Sequence, residues 1–234
     1  MRTNLKEQKI LINYIDLNIE DIKYFEESIQ TNKTVEDRIP SVKRKIFKLS
    51  LHTLIAKYSA GYEIQELNKE FPQVIEYLVE GWDYEDDFLS LDDYISLLWM
   101  LSIGVMLEIG SLDFDKIVHI VDKCQYKDFI YDTIISSRKE NRKISEIEKY
   151  PNEFGFLKKL FENRDISELK NYLDKNWYKR MKPTYWYDND KNKNDVFFGY
   201  WSFESAALVK ILVLDDKPLK DQQYYPYDLV HWKD

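Results

Sequence analysis

Histidine, cysteine and carboxylate side chains are the groups in this chain that could bind a metal ion. The three histidines lie on three separate segments, as His52, His119 and His231. His119, Asp122 and Cys124 are close in sequence but do not have the spacing of a zinc site. Asp228-x-x-His231 is only distantly similar to the paired Glu-x-x-His motifs of di-iron bundles. We therefore expect no metal site and no cofactor.

Nucleophilic and acid–base catalysis have equally little support in the sequence. The chain contains no G-x-S-x-G nucleophile motif and no G-x-x-x-x-G-K-[ST] phosphate-binding loop. Asp87 and Asp93 could form an acid–base pair, but carboxylates in an acidic segment usually lie on a solvated surface. We expect no catalytic residue. A carboxylate- or metal-dependent hydrolase is therefore kept only as an alternative to a function without catalysis.

The carboxylates are concentrated in residues 71–115. This acidic segment contains 11 carboxylates and neither Lys nor Arg. The whole chain has 42 acidic and 34 basic residues, and its net charge of −8 comes from this segment, because the flanking residues carry more basic than acidic side chains. Residues 82–87, which we call the acidic cluster, combine four carboxylates with two aromatic side chains. We predict that they form the partner-binding site: Trp82, Asp83, Tyr84, Glu85, Asp86 and Asp87.

The charge of the acidic cluster suits a basic protein partner, especially a partner that itself binds nucleic acid. Direct binding of nucleic acid is a poorer interpretation of the sequence. Residues 175–193 mix Lys and Arg with aromatic side chains on which bases could stack. However, a chain that is acidic overall lacks the net basic face that phosphate binding requires. We expect residues 175–193 to form a long loop with aromatic anchors.

Helices must position these groups, because the apolar residues recur at helical spacing along most of the chain. Residues 91–109 are apolar on nearly every face, which predicts a buried central helix with Ser90 as its N-cap. Pro72 is expected in the first turn of a helix that ends at Gly81, and another helix is expected to end at Gly61. The predicted fold class is all-α. It is a compact bundle of roughly 8–10 helices around the central helix, with an extended C-terminal tail.

Charge also divides the chain into an N-terminal helical region, residues 1–115, and a C-terminal helical region, residues 116–234. We expect the two regions to pack as one compact unit. Cys124 is the only cysteine, so no intramolecular disulfide is possible. The N-terminus lacks the apolar stretch of a signal peptide, and the longest uncharged apolar run is 14 residues, shorter than the ~20 that a membrane span needs. We expect a cytoplasmic protein with no membrane partner.

The last third of the chain carries a family resemblance. Its motifs are Gly199-Tyr-Trp-Ser-Phe-Glu-Ser-Ala-Ala-Leu-Val-Lys210, Leu214-Asp-Asp216 and Tyr224-Tyr-Pro-Tyr-Asp-Leu-Val-His231. Tyr58-Ser-Ala-Gly61 and Trp99-Met-Leu-Ser-Ile-Gly104 extend the similarity into the first half. On these motifs the chain resembles the polymorphic nuclease effector immunity (PoNi-like) proteins over nearly its whole length. One residue departs from the pattern, because Val213 stands where a Gly or a polar residue is expected.

The resemblance implies a helical, cytoplasmic, non-enzymatic protein that protects its own cell by binding and neutralising a cognate DNase toxin. The expected mechanism is stoichiometric occlusion, with carboxylates facing a basic DNA-binding cleft. A helical scaffold without a toxin partner is a second alternative. The aromatic residues of the motifs are expected to pack in the core, and Glu204 and His231 are expected to form a buried polar link. The acidic cluster is chosen as the binding site on its charge and not on the resemblance.

Overall fold

The computed structural model describes residues 1–82, 90–125 and 127–233. These residues form helices joined by turns, and no β-strand occurs among them, which confirms the predicted all-α class. None of the helices in these ranges is long and apolar enough to cross a membrane.

The described residues group into two compact units. The first unit comprises residues 1–82 and 188–199, and the second comprises residues 90–125, 127–187 and 200–233. The regions predicted from charge, 1–115 and 116–234, and their packing as one unit stay predictions.

The described α-helices of the first unit are α1 (Gln8–Gln30), α2 (Ile39–Ala60) and α3 (Ile64–Gly81). α1 and α3 both pack along α2, because each presents one apolar face to it. The fully buried side chains of this core include Leu11, Ile15, Phe47, Leu51, Ile55, Phe71, Ile75 and Leu78. α2 ends at Gly61 as predicted, and Gly61 adopts the left-handed conformation (φ 97°) that glycine accepts without strain.

Pro72 does not begin a helix, contrary to our expectation. It lies inside α3, which begins eight residues earlier at Ile64 and ends at Gly81 as predicted. A proline in a helix interior removes one backbone hydrogen bond and costs about 3 kcal/mol. The helix continues through Pro72 because the neighbouring residues Phe71 and Val74 are buried and α3 packs along α2.

Phe198 brings residues 188–199 into the first unit. Its ring stacks on the imidazole of His52 with the ring centroids 4.3 Å apart, and Ser59 Oγ donates a hydrogen bond to its carbonyl oxygen at 2.7 Å. Burial lowers the pKa of His52 to about 3, because the apolar surroundings disfavour the charged imidazolium. His52 is therefore a neutral core residue at physiological pH.

The central helix of the second unit is α4 (Leu91–Met106), as predicted. Every residue from Asp93 to Met106 is buried. Ser90 is the N-cap, and its side-chain oxygen accepts a hydrogen bond from the Asp93 backbone nitrogen at 3.2 Å. α4 is contacted by α5 (Ser111–Lys123), α6 (Phe129–Ser136) and α10 (Phe203–Leu212). The remaining α-helices described in this unit are α7 (Pro151–Asn163), α8 (Ile166–Tyr172), α9 (Tyr178–Arg180) and α11 (Tyr227–Val230).

A buried aspartate joins α4 to the start of α6. Asp128 Oδ1 accepts hydrogen bonds from the backbone nitrogens of Ile130 and Tyr131 and from the Tyr94 hydroxyl, and Oδ2 accepts one from the Lys149 backbone nitrogen. Burial raises the pKa of Asp128 although these hydrogen bonds oppose the shift. Asp128 thus serves as the N-cap of α6 and fixes two neighbouring segments to it.

The C-terminal tail contains two short helical turns. It passes through the 3₁₀ turn Lys217–Leu219 and reaches α11 (Tyr227–Val230). Beyond α11, Trp232 Nε1 donates a hydrogen bond to the Met106 carbonyl oxygen at 2.9 Å. This bond holds the tail against the last turn of α4.

Candidate partner-binding site

The acidic cluster begins at Trp82, and this side chain is buried. Only 2% of Trp82 is exposed. Its ring meets the Phe47 ring edge-on with centroids 5.9 Å apart, and the Arg44 guanidinium carbon lies 5.3 Å from its centroid. Trp82 therefore fixes the start of the acidic cluster in the core of the first unit through aromatic and cation–π packing.

The other five predicted site residues lie outside the described residues, namely Asp83, Tyr84, Glu85, Asp86 and Asp87. Their assignment as the partner-binding site remains a prediction, which rests on their charge and on their place in the sequence directly after Trp82.

The end of α3 lies against the start of α2 immediately before the acidic cluster. A Cβ atom at Gly81 would come within 2.6 Å of the Lys43 carbonyl oxygen, so only glycine permits this approach. Lys43 Nζ lies 3.3 Å from Glu80 Oε2, and Lys45 Nζ lies 4.4 Å from the Phe25 ring centroid. The basic side chains at the start of α2 thus contact groups of the first unit itself.

Most described carboxylates of the acidic segment have donors within the chain. Glu108 is the clearest example, because Lys210 Nζ lies 3.1 Å from Oε1 and Lys233 Nζ 2.7 Å from Oε2. Hydrogen bonds from Lys233 and Lys210 hold the pKa of Glu108 below its usual range. Further pairs are Glu80 with Lys43, Asp113 with Lys116, Asp115 with Lys139, Asp92 with the backbone nitrogen of Tyr185, and Asp93 with the hydroxyl of Ser90.

Residues 175–193 are only in part the long loop that we expected, because residues 175–180 are helical and residues 181–188 form turns. Their first part continues from α8 through a π-helix, Leu173–Trp177, into α9. Trp177 and Trp186 are each only 1% exposed. The ring of Tyr178 stacks on those of Tyr187 and Tyr224, with centroid distances of 4.7 and 5.6 Å. Trp186 and Tyr187 lie in the turns that follow α9, and their ring contacts with Trp177 and Tyr178 fix these turns against the helical part.

The aromatic residues of the family motifs pack in the core, as predicted. Trp201, Phe203 and Tyr225 are buried, and the half-buried ring of Tyr227 lies 4.3 Å from the ring of His231.

Glu204 and His231 do not form the polar link that we expected. Glu204 Oε1 instead accepts hydrogen bonds from Trp177 Nε1 at 2.8 Å and from Ser202 Oγ at 2.7 Å, and His231 pairs with Asp216. Burial raises the pKa of Glu204, although the hydrogen bonds from Ser202 and Trp177 oppose this. Trp177, which is distant in sequence, thus supplies a donor to Glu204 in the place that we expected His231 to take.

No group of three His, Cys, Asp or Glu side chains within residues 1–82, 90–125 and 127–233 is placed to hold a metal ion. His52 packs against Phe198 and His231 pairs with Asp216, so these two histidines have roles in the core and the tail.

Two family models match the chain. The model for PoNe immunity protein (PoNi), N-terminal, matches residues 11–119, and the model for PoNe immunity proteins (PoNi), C-terminal, matches residues 126–229. The first match includes the acidic cluster, and the second includes the motifs around α10 and the tail.

The crystal structure of protein PA2201 from Pseudomonas aeruginosa has a similar fold. The two chains share 17% sequence identity with a TM-score of 0.70, over 99% of this chain and 89% of that chain. At this identity the similarity shows the fold alone. No curated protein matches the chain.

Proposed function

Because the chain belongs to the PoNe immunity protein (PoNi) family and is thus an immunity protein against a nuclease toxin, we propose that it neutralises a DNase by stoichiometric occlusion of the DNA-binding cleft. An immunity protein inhibits and does not catalyse, so the chain is not an enzyme and the hydrolase alternative is excluded. The proposal concerns the chemistry of the toxin and the surface that meets it.

The charge distribution is the observation that carries this proposal. The acidic cluster places four carboxylates within five residues, 83–87, and the segment around it, residues 71–115, contains neither Lys nor Arg. A DNA-binding cleft is lined with Lys and Arg that bind phosphates. The carboxylates of the acidic cluster would occupy these positions in place of the phosphates.

The residues of the acidic cluster would contribute to toxin binding in different ways. The burial of Trp82 in the first unit ties the start of the cluster to a rigid element. The four carboxylates would provide attraction over distance, which mainly raises the association rate. Tyr84 would supply aromatic contact area, which mainly slows dissociation.

The test is toxin binding by a variant that lacks the four charges: Asp83→Asn, Glu85→Gln, Asp86→Asn and Asp87→Asn. We expect slower association with the purified cognate toxin and a weaker dependence of the association rate on salt, because fewer charges steer the encounter. Rescue of cells that express the toxin should fall in parallel. Trp82 is left unchanged, since its replacement would disturb the core.

A matched control neutralises four exposed carboxylates on α1, namely Asp16, Glu20, Asp21 and Glu27. It changes the net charge equally but leaves the acidic cluster intact. Equal loss of binding in both variants would reveal only an effect of net charge. Normal association and full rescue by the first variant would place the interface elsewhere.

A further inference from the structure

A groove runs between α1 and α3 on the first unit, because both helices pack mainly on α2. It consists of two adjoining hollows of about 280 and 260 Å³, which share Glu26, Gln73 and Tyr77. The apolar side chains that line them are Ile19, Ile22, Ile29, Ile46, Leu54 and Val74. The isoleucines of α1 in this set are only half-buried, so the groove exposes apolar surface that no helix of the first unit covers.

Glu26 is the carboxylate at the centre of this groove. Its Oε1 accepts a hydrogen bond from the Tyr77 hydroxyl at 2.7 Å, and it makes no ion pair within the described part of the chain. The two lysines of α2 that line the hollows form ion pairs with other carboxylates. Lys57 Nζ lies 2.7 Å from Glu70 Oε1, and Lys43 Nζ lies 3.3 Å from Glu80 Oε2.

The environment of Glu26 favours a cationic partner. Its side chain is half-buried, whereas Lys23 at the rim of the same hollow is exposed and solvated. A carboxylate that is partly removed from water and lacks a counter-ion gains most from an arriving Lys or Arg. A basic nuclease surface offers such cations.

We propose that the groove between α1 and α3 binds a surface helix of the toxin, with apolar side chains in the two hollows and one Lys or Arg against Glu26. This inference rests on the proposed function, because it names the same partner. The α3 wall of the groove, formed by Gln73, Val74, Tyr77 and Glu80, belongs to the acidic segment that leads to Trp82.

The arrangement of the hollows favours a helix over a small molecule. The two hollows follow one another between a pair of helices and share Glu26, Gln73 and Tyr77. Grooves of this kind accept an amphipathic helix, whose apolar residues recur every three or four positions.

Glu26→Gln tests the ionic contact. The amide oxygen can still accept the hydrogen bond from Tyr77, so the fold should be retained, and a thermal melt checks this. We expect the dissociation constant for the purified toxin to rise about ten-fold or more, mainly through faster dissociation, because the partner's cation would be buried without its counter-ion. Glu27→Gln is the matched control, since Glu27 is exposed and lies outside the groove.

Site-specific crosslinking tests the position independently of stability. Cys124 is 1% exposed, so a single introduced cysteine can be labelled selectively with a benzophenone maleimide. Lys23→Cys at the groove should crosslink to the bound toxin on irradiation, and the crosslinked toxin peptide should contain Lys or Arg among apolar residues. Asp16→Cys, which is exposed on α1 but does not line the groove, should not crosslink.

The outcomes separate this inference from the proposed function. The groove would not be the binding site if Glu26→Gln bound with unchanged affinity and position 23 gave no crosslink. If the variant of the acidic cluster were impaired in the same experiments, the proposed function would still stand. Equal weakening by Glu26→Gln and Glu27→Gln would also overturn the groove as the binding site, since that result reflects net charge. A toxin that does not bind the unaltered protein at all would refute both.

Discussion

The imidazole of His231 lies 2.8 Å from the carboxylate of Asp216, measured from Nε2 to Oδ1. The other carboxylate oxygen accepts a hydrogen bond from the Tyr225 hydroxyl at 2.7 Å, and Asp216 is 3% exposed. Two motifs that carry the family resemblance are therefore joined by one buried carboxylate. The contacts of Asp216 with Tyr225 and His231 hold the C-terminal tail against the segment that follows α10.

Asp216→Ala should destabilise the protein by about 2–3 kcal/mol, because it removes a buried carboxylate and the two hydrogen bonds that it makes with Tyr225 and His231. Denaturant unfolding measures this loss. Asp215→Ala, at the exposed neighbouring carboxylate, is the control and should stay within roughly 0.5 kcal/mol. Equal effects of the two substitutions would contradict the role given to Asp216.

Val213→Gly should stabilise the protein by about 1 kcal/mol. Val213 ends α10 in the left-handed conformation (φ 53°, ψ 47°), which costs a β-branched residue roughly 1–2 kcal/mol. Its side chain is 88% exposed, so little packing is lost on replacement. Val35→Gly, at an exposed valine with φ −63°, should give no such gain. A fall in the melting temperature of Val213→Gly would show that the side chain has a role that its exposure does not suggest.

Trp99→Ala should cost about 3–5 kcal/mol of unfolding free energy through the cavity that it leaves. Trp99 is 4% exposed, and its ring centroid lies 5.8 Å from that of Trp186 and 6.0 Å from that of Phe203. Leu112→Ala, at a side chain that is 79% exposed, provides the comparison in the same denaturant melts. A loss below 1 kcal/mol at Trp99 would mean that the surrounding rings close over the space.

Glu204→Gln should change how stability depends on pH. The pKa of Glu204 is raised by burial, so the folded state binds this proton more tightly than the unfolded state, in which the pKa is about 4.3. The stabilisation from this proton is present below about pH 4.3 and is lost as the pH rises through the folded-state pKa. The unaltered protein should therefore lose stability relative to Glu204→Gln as the pH rises from about 4.

Denaturant melts at a series of pH values would measure this difference. Glu162→Gln, at an exposed carboxylate, should follow the unaltered protein throughout. A stability difference between the unaltered protein and Glu204→Gln that does not vary with pH would show that Glu204 keeps its charge in the core.

The sequence by itself determined the features that depend on neighbouring residues. The apolar run around α4 permitted burial on every face, and Ser90 with Asp93 fixed where this helix begins. Gly61 and Gly81 marked the ends of α2 and α3, because glycine serves best where the backbone turns left-handed or another helix comes close. The family motifs led to the same family that the two family models identify.

Only the tertiary structure decided the features that depend on distant partners. Trp82 is buried because Phe47 and Arg44, about 35 residues earlier in the sequence, surround its ring. α3 continues through Pro72 because burial on α2 outweighs one missing hydrogen bond. Glu204 binds Trp177 rather than His231 for the same kind of reason. Hydrophobic spacing reports which face of a helix is apolar, but not which helix, ring or carboxylate meets that face.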